Sequence, residues 1–251
     1  MLPECRRNVR FMTDFAGASI IILGATGGLG REFTRQLAEA GANLTLTGRS
    51  MLALDDLDAP GAARIPADLA DAAEAEKVVA AAITAHGRVD GVIVASGAVA
   101  FGPLVETSDE TLDALWAINV LAPLRVLRAA APSLTESAAA GGSPFVVSIS
   151  GVVAETPTAG IGAYSAVKAA QAAAHQVAAR ELRRAGIRVI DARPGHIETE
   201  LSKHPIAGER PTFPAGLVPA AVVTRILDAV RTDEKDLPST AFHGLPTVET
   251  V

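Results

Sequence analysis

A chain of 251 residues, 49% hydrophobic but only 4% aromatic, can build one sizeable core of aliphatic side chains, the composition of parallel strands covered by helices on both faces. A net charge of −6 with no basic block argues against nucleic acid as a partner, and no uninterrupted apolar run approaches the roughly 18 residues that span a bilayer. One cysteine, Cys5, excludes an internal disulfide framework and fits a reducing compartment, so a cytoplasmic protein is expected.

The first residues, MLPECRRNVRFM, show no periodicity. Residues 1–16 read as an N-terminal extension, with Met1 or Met12 as the start, and residues 17–251 as one domain. The first strand-like run is Ser19–Leu23, and GATGGLG (Gly24–Gly30) follows it directly, opening a helical stretch over Leu29–Ala40. Glycines placed there permit a tight turn and bring backbone N–H groups and a positive helix end up to a pyrophosphate. Gly24, Thr26, Gly28, Leu29 and Gly30 are the candidate contacts. Two glycine spacings coexist, Gly24/Gly28/Gly30 and Gly24/Gly27/Gly30, and both are dinucleotide-binding patterns.

The second run, Asn43–Thr47, ends in TGRS. An acidic residue here would take the ribose 2′-hydroxyl of NAD. Gly48 stands in that place, followed by Arg49 and Ser50. A guanidinium suits a 2′-phosphate, so NADP(H) is preferred, with NAD(H) possible. After the third run, Ala63–Pro66, the string ADL offers Asp68 to the adenine amino group, with Leu69 beside it. A helix over Asp71–His86 leads to the fourth run, Gly91–Ala95, whose end is VASG. There Ala95, Ser96 and Gly97 can pass a cofactor through their backbone. The helical stretch Ser108–Leu134 carries Asn119, and Pro123 should kink or split it.

The fifth run, Phe145–Ile149, precedes SGVVAETPTAGIGAYSAVK. Tyr164 and Lys168 are four apart and share one face of a helix over Ala163–Ala185. A free phenol titrates near ~10, a nearby ammonium favours its ionised form, and acid–base catalysis works best near ambient pH. The sixth run, Arg188–Ala192, is followed by a loop rich in proline and glycine, the kind that forms lids. Its Ile206, Phe213 and Leu217 suggest an apolar ligand, and His196 reads as a pocket wall. A last helix over Ala220–Val230 and a weak strand near Ser239–Phe242 complete the chain. The five histidines show no metal-ligand spacing, so no metal is expected. Strand and helix alternate throughout, which predicts an α/β, Rossmann-like, doubly wound parallel sheet in a single domain.

GATGGLG, AIN with Asn119, YSAVK and RPGHIET (Arg193–Thr199), in that order, make the chain resemble the short-chain dehydrogenase/reductase family over nearly all its length after Met12. The resemblance implies Tyr164 as catalytic acid/base. It implies Lys168 as the residue that orients the nicotinamide ribose and lowers the tyrosine pKa, and Asn119 as the holder of a relay water. Pro194, Gly195, Ile197 and Thr199 become cofactor contacts. Pairing through the helices Ser108–Leu134 and Ala163–Ala185 would give a homodimer or homotetramer. The expected function is an NADP(H)-dependent oxidoreductase interconverting a carbonyl and an alcohol on a small apolar substrate. The alternative is a dinucleotide-binding regulatory or sensor protein with little turnover. Two departures stand out. VASG replaces the family's NNAG, and the carbonyl-binding serine thirteen residues before the tyrosine is Gly151. Ser150 is expected to take its place, turned into the pocket by a bulge that Gly151 permits; otherwise it faces the core.

Overall fold

The computed structural model describes residues 13–248. Six parallel strands form one sheet in the order β3-β2-β1-β4-β5-β6. The strands are β1 Ser19–Leu23, β2 Asn43–Gly48, β3 Ala63–Pro66, β4 Gly91–Val94, β5 Phe145–Ile149 and β6 Arg188–Ala192. The helices are α1 Gly28–Glu39, α2 Met51–Asp55, α3 Glu74–His86, α4 Asp109–Trp116, α5 Ala122–Ala139, α6 Gly162–Glu181 and α7 Pro219–Thr232. The strand order reverses between β1 and β4, and ligands of such sheets bind at that switch, outside the carboxyl ends of the strands.

Side-chain alternation splits β1 between two cores. Ile20 and Ile22 face α1 and α7, where they meet Phe33, Leu37, Val222, Val223 and Ile226. Ile21 and Leu23 face the other way, towards Val78, Val79, Val126 and Leu134 of α3 and α5. A strand buried on both faces needs an unbroken apolar run, which is why these strands are visible in the sequence. Each fully buried side chain of this size contributes roughly 1.5–3 kcal/mol. Gly91 leaves room for a neighbour: a Cβ there would fall 2.5 Å from Phe145 Cζ. The Phe145 ring in turn meets Phe15 edge-on at 5.9 Å.

Phe15 is thus part of the core, and Thr13 accepts a hydrogen bond from Arg188. Residues 13–16 pack with the domain rather than extending from it, and residues 1–12 lie outside the described residues. Two further expectations are corrected. Ser239–Phe242 is a 3₁₀ turn, not a strand, and the edge pairing there is a single bridge between Leu237 and Ala192. Pro123 does not break its helix: a π turn over Ala117–Leu121 joins α4 to α5. A π turn shifts the hydrogen-bond register by one, so the N–H that Pro123 lacks is absorbed at the helix joint. The run Asp109–Ala139 is long and apolar enough to cross a membrane by length and composition, despite its charges, but Val126, Leu127, Ala130 and Leu134 within it are buried against the sheet.

Candidate active site

The turn after β1 is built for close approach. Gly24 has φ 75°, and a Cβ on Gly30 would fall 2.0 Å from the Gly24 carbonyl oxygen. Only glycine fits at either place. The first turn of α1 has no side-chain cap, which leaves backbone N–H groups for an anion. Across the turn, a Cβ on Gly28 would fall 2.7 Å from Thr199 Cγ2. The loop after β6, with Pro194, Gly195 and Ile197 leading to Thr199, therefore abuts the glycine turn, while Leu29 packs beneath it. The free N–H groups and glycine backbone of this turn suit an anionic group such as a dinucleotide's pyrophosphate.

Beyond the ends of β2 and β3 lies a cleft of about 420 Å³ lined by Arg49, Pro66, Ala67, Asp68, Asp71 and Glu74. Arg49 is exposed. Ser50 Oγ caps α2, accepting from Ala53 N at 3.3 Å, and Asp68 Oδ1 accepts from Ala70 N at 3.1 Å. Arg49 thus shares the cleft with three carboxylates, of which Glu74 is paired with Lys77. Leu69 is buried beside them.

Past β4, Ala95, Ser96 and Gly97 run along the sheet end. Ser96 presses on the glycine turn, its Cα only 2.7 Å from where a Gly24 Cβ would lie, and its hydroxyl is buried without a partner among the described residues. Asn119 braces the same segment. Its Nδ2 donates to Ala98 O at 3.0 Å and to Leu115 O at 2.9 Å. It sits in the π turn, fully buried.

Tyr164 lies in the first turn of α6 with one side against Ala100, Leu115 and Val120 and another against Val99, Phe101 and Ile161. Lys168 is one turn on, its Nζ 5.7 Å from the Tyr164 ring centroid. That ammonium donates to Ile149 O at 2.7 Å and to Gln171 Oε1 at 2.8 Å. Burial pushes the Tyr164 phenol well above its ordinary range and pulls Lys168 down to about 8, against the opposing pull of Asp191.

Ser150 is not turned towards Tyr164. Its Oγ donates to Asp191 Oδ2 at 2.6 Å, deep in the fold. The bulge-like feature does exist: Ser150 N and Gly151 N both donate to Ala192 O, at 3.0 and 3.2 Å. Gly151 has φ 80° and ψ 165°, a conformation open only to glycine. The distortion begins one residue too late to turn Ser150, which keeps the strand's alternation and the face of Val146 and Ser148.

The far wall is aromatic. His196 stacks on Phe213 at 4.5 Å, and Phe101 lies 6.0 Å from the same ring. His196 Nε2 is 3.5 Å from Glu198 Oε2, and Arg210 lies over the Phe213 face. The loop is strapped down by Ile206 N to Val99 O and Phe101 N to Ala207 O, both 2.9 Å. Leu217 does not line this wall; it packs into the α1/α7 core and bridges Ile197. Gln171, His175, Asp191 and Arg193 sit directly behind the Tyr–Lys pair, and motif reading gave them no role. Gln171 had a signal, one turn after Lys168, and Arg193 opens the RPGHIET string.

The family model for short chain dehydrogenases matches residues 18–209. A short chain dehydrogenase of Pseudocercospora fijiensis is 33% identical over 201 residues, 76% of this chain and 63% of that protein. An uncharacterized oxidoreductase of Mycobacterium tuberculosis is 39% identical over 178 residues, 68% of this chain and 64% of that one. The chain thus matches less than two thirds of either relative's length. Among solved structures, a metagenomic short-chain oxidoreductase in complex with NADP is 26% identical with a TM-score of 0.74, covering 90% of this chain and 98% of that one. An NADH-dependent reductase is 27% identical with a TM-score of 0.68, covering 74% and 79%.

Proposed function

The chain belongs to the short-chain dehydrogenase family, and from that premise we propose that it is an NADP(H)-dependent oxidoreductase interconverting a carbonyl and an alcohol, with Tyr164 as acid/base. The observation that carries this reading is the Tyr164–Lys168 pair, one helical turn apart on α6 with the Lys168 ammonium held at the carboxyl end of β5. A nicotinamide dinucleotide supplies or accepts the hydride. Gly24, Gly28, Gly30 and the first turn of α1 would hold its pyrophosphate, with Thr199 of the β6 loop abutting Gly28. In reduction, Tyr164 keeps its proton at neutral pH because burial disfavours the phenolate, and gives it to the substrate oxygen as negative charge develops there. Lys168 then sits beside the phenolate left behind and stabilises it. Ser150 takes no part, so Tyr164 is the hydroxyl donor left to that oxygen among the residues of the expected site.

The aromatic wall of Phe101, Phe213 and His196 supports a small apolar substrate. Arg49 supports NADP(H), and the neighbour holding NADP agrees with it; Asp68, Asp71 and Glu74 in the same cleft favour NAD(H) as the second reading. We also propose a homodimer or homotetramer and a cytoplasmic location. The sensor alternative predicts binding without turnover. Screening NADPH oxidation against ketones, aldehydes and quinones tests the function. Tyr164→Phe is expected to lower kcat by about 10²–10⁴-fold with NADPH affinity retained. A variant that turns over normally on an identified substrate would refute the acid/base role.

A further inference from the structure

Behind the acid–base pair, β5, β6 and α6 enclose a buried polar cluster. Ser148 and Asp191 are register partners on β5 and β6. Val146 and Val189, two residues earlier on each strand, face the α3/α5 core, so Ser148, Ser150, Asp191 and Arg193 fall on that same side. Asp191 Oδ2 accepts from Ser150 Oγ at 2.6 Å and from Arg193 Nη1 at 3.0 Å. Asp191 Oδ1 is buried and has no hydrogen-bond partner among the described residues. From α6, Gln171 Nε2 donates to Ser148 Oγ at 2.9 Å while its Oε1 accepts from Lys168. The Lys168 ammonium also holds Ile149 O, on the peptide leading into Ser150. Ammonium and carboxylate are therefore fastened to consecutive residues of one strand end.

The charge count around Asp191 is uneven. Arg193 is shared among three carboxylates, those of Asp191, Glu155 and Asp236. His175 on α6 also faces the cluster, but burial lowers its pKa and keeps it neutral. Tyr164 is a neutral phenol at working pH. Lys168 is the remaining cation. A buried carboxylate oxygen without a partner is costly and is tolerated where a positive charge lies within reach.

We propose that Asp191 is a positioning residue for the acid–base pair, its carboxylate holding the Lys168 side chain as the ammonium that Tyr164 needs. Desolvation pulls Lys168 down, and Asp191 is the charge that opposes it. Arg193 moderates that field, and Ser150, unable to reach a substrate, fixes the carboxylate's orientation.

The chain has four lysines, Lys77, Lys168, Lys203 and Lys235, so ¹³C-lysine labelling gives a simple NMR titration, with Lys168 assigned by its loss in Lys168→Arg. In the cofactor-free protein Lys168 should titrate well below the roughly 10.4 of an ordinary lysine. Asp191→Asn, nearly isosteric, should lower its midpoint by about one pH unit or more. Arg193→Gln should raise it, because the opposing guanidinium is gone. Ser150→Ala, which keeps the carboxylate, should move it by less than Asp191→Asn does. An unmoved midpoint in folded Asp191→Asn overturns the proposal. Should that variant fail to fold, an unmoved or lowered midpoint in Arg193→Gln does the same. The proposal rests on Lys168 being the partner of Tyr164, yet the titration needs neither cofactor nor substrate. A protein without turnover would therefore count against the oxidoreductase reading and leave this measurement to decide its own question.

Discussion

At the scale of single residues, charge and burial at two side chains carry most of what can be measured. Arg49 shares its cleft with Asp68, Asp71 and Glu74, so its removal does more than delete one contact. A charge-assisted hydrogen bond to a phosphate is worth about 1.5–3 kcal/mol, or roughly 10–150-fold in affinity. Arg49→Ala should lose about that much NADPH affinity while NADH binding changes little, since the residual negative lining repels a 2′-phosphate. Fluorescence titration of both cofactors checks it, and equal affinities in the unmodified protein would end the NADP(H) preference. Lys168 sets the pH response. Its value is pulled down from 10.5 to about 8, so the ammonium is lost as pH rises through that value. Tyr164, displaced upward, stays protonated there. For carbonyl reduction, kcat/KM should show one alkaline limb with its midpoint near 8. Lys168→Arg, whose charge persists, should move that limb upward. A limb shared unchanged by both proteins would assign it elsewhere.

At the scale of elements, what the sequence disclosed and what it withheld divide along physical lines. The central strands were legible because strands buried on both faces are continuous runs such as SIIIL and FVVSI. The Tyr164–Lys168 face was legible because helical spacing alone places it. The orientation of Ser150 was not, since a one-residue change in backbone parity decides it and glycine permits either outcome. Nor was the role of Asp191, which depends on β6 lying beside β5, a pairing between residues 41 apart. The π turn at Ala117–Leu121 was hidden because Pro123 signals a defect without saying which kind. The strand end at Gly151 yields a prediction of its own. A Cβ there would meet only Pro194 O at 3.8 Å, so space is not the obstacle; the positive φ is. Gly151→Ser should lower stability by about 1–3 kcal/mol, seen as a drop in Tm, without raising kcat. A stable variant with higher turnover would mean that this backbone relaxes and accepts the missing hydroxyl.

At the scale of the whole molecule, the helices that carry the site also carry uncovered apolar surface. On α4, Leu112 is 37% and Trp116 44% exposed, and on α6 Val177 is 48% exposed. α6 is also rich in alanine, and small side chains let a second helix approach closely, adding dispersion contacts that bulky residues would hold apart. A single exposed apolar residue means little, but these lie on the two helices through which the family resemblance implies pairing. A copy packed there would remove them from water and would back the helix bearing Tyr164 and Lys168, far from the Arg49 cleft beside β2 and β3. Light scattering at micromolar concentration should therefore report a dimer or tetramer. Trp116→Glu and Val177→Glu, each placing an unpaired charge in such an interface, should shift it towards monomer. The monomeric forms should melt earlier, because association contributes to stability by mass action, and should still bind NADPH, because the glycine turn and Arg49 lie on the opposite half of the sheet. An unmodified protein that scatters as a monomer would leave Trp116 and Val177 as ordinary surface residues. Loss of NADPH binding together with assembly would instead mean that the cofactor site is completed across the interface.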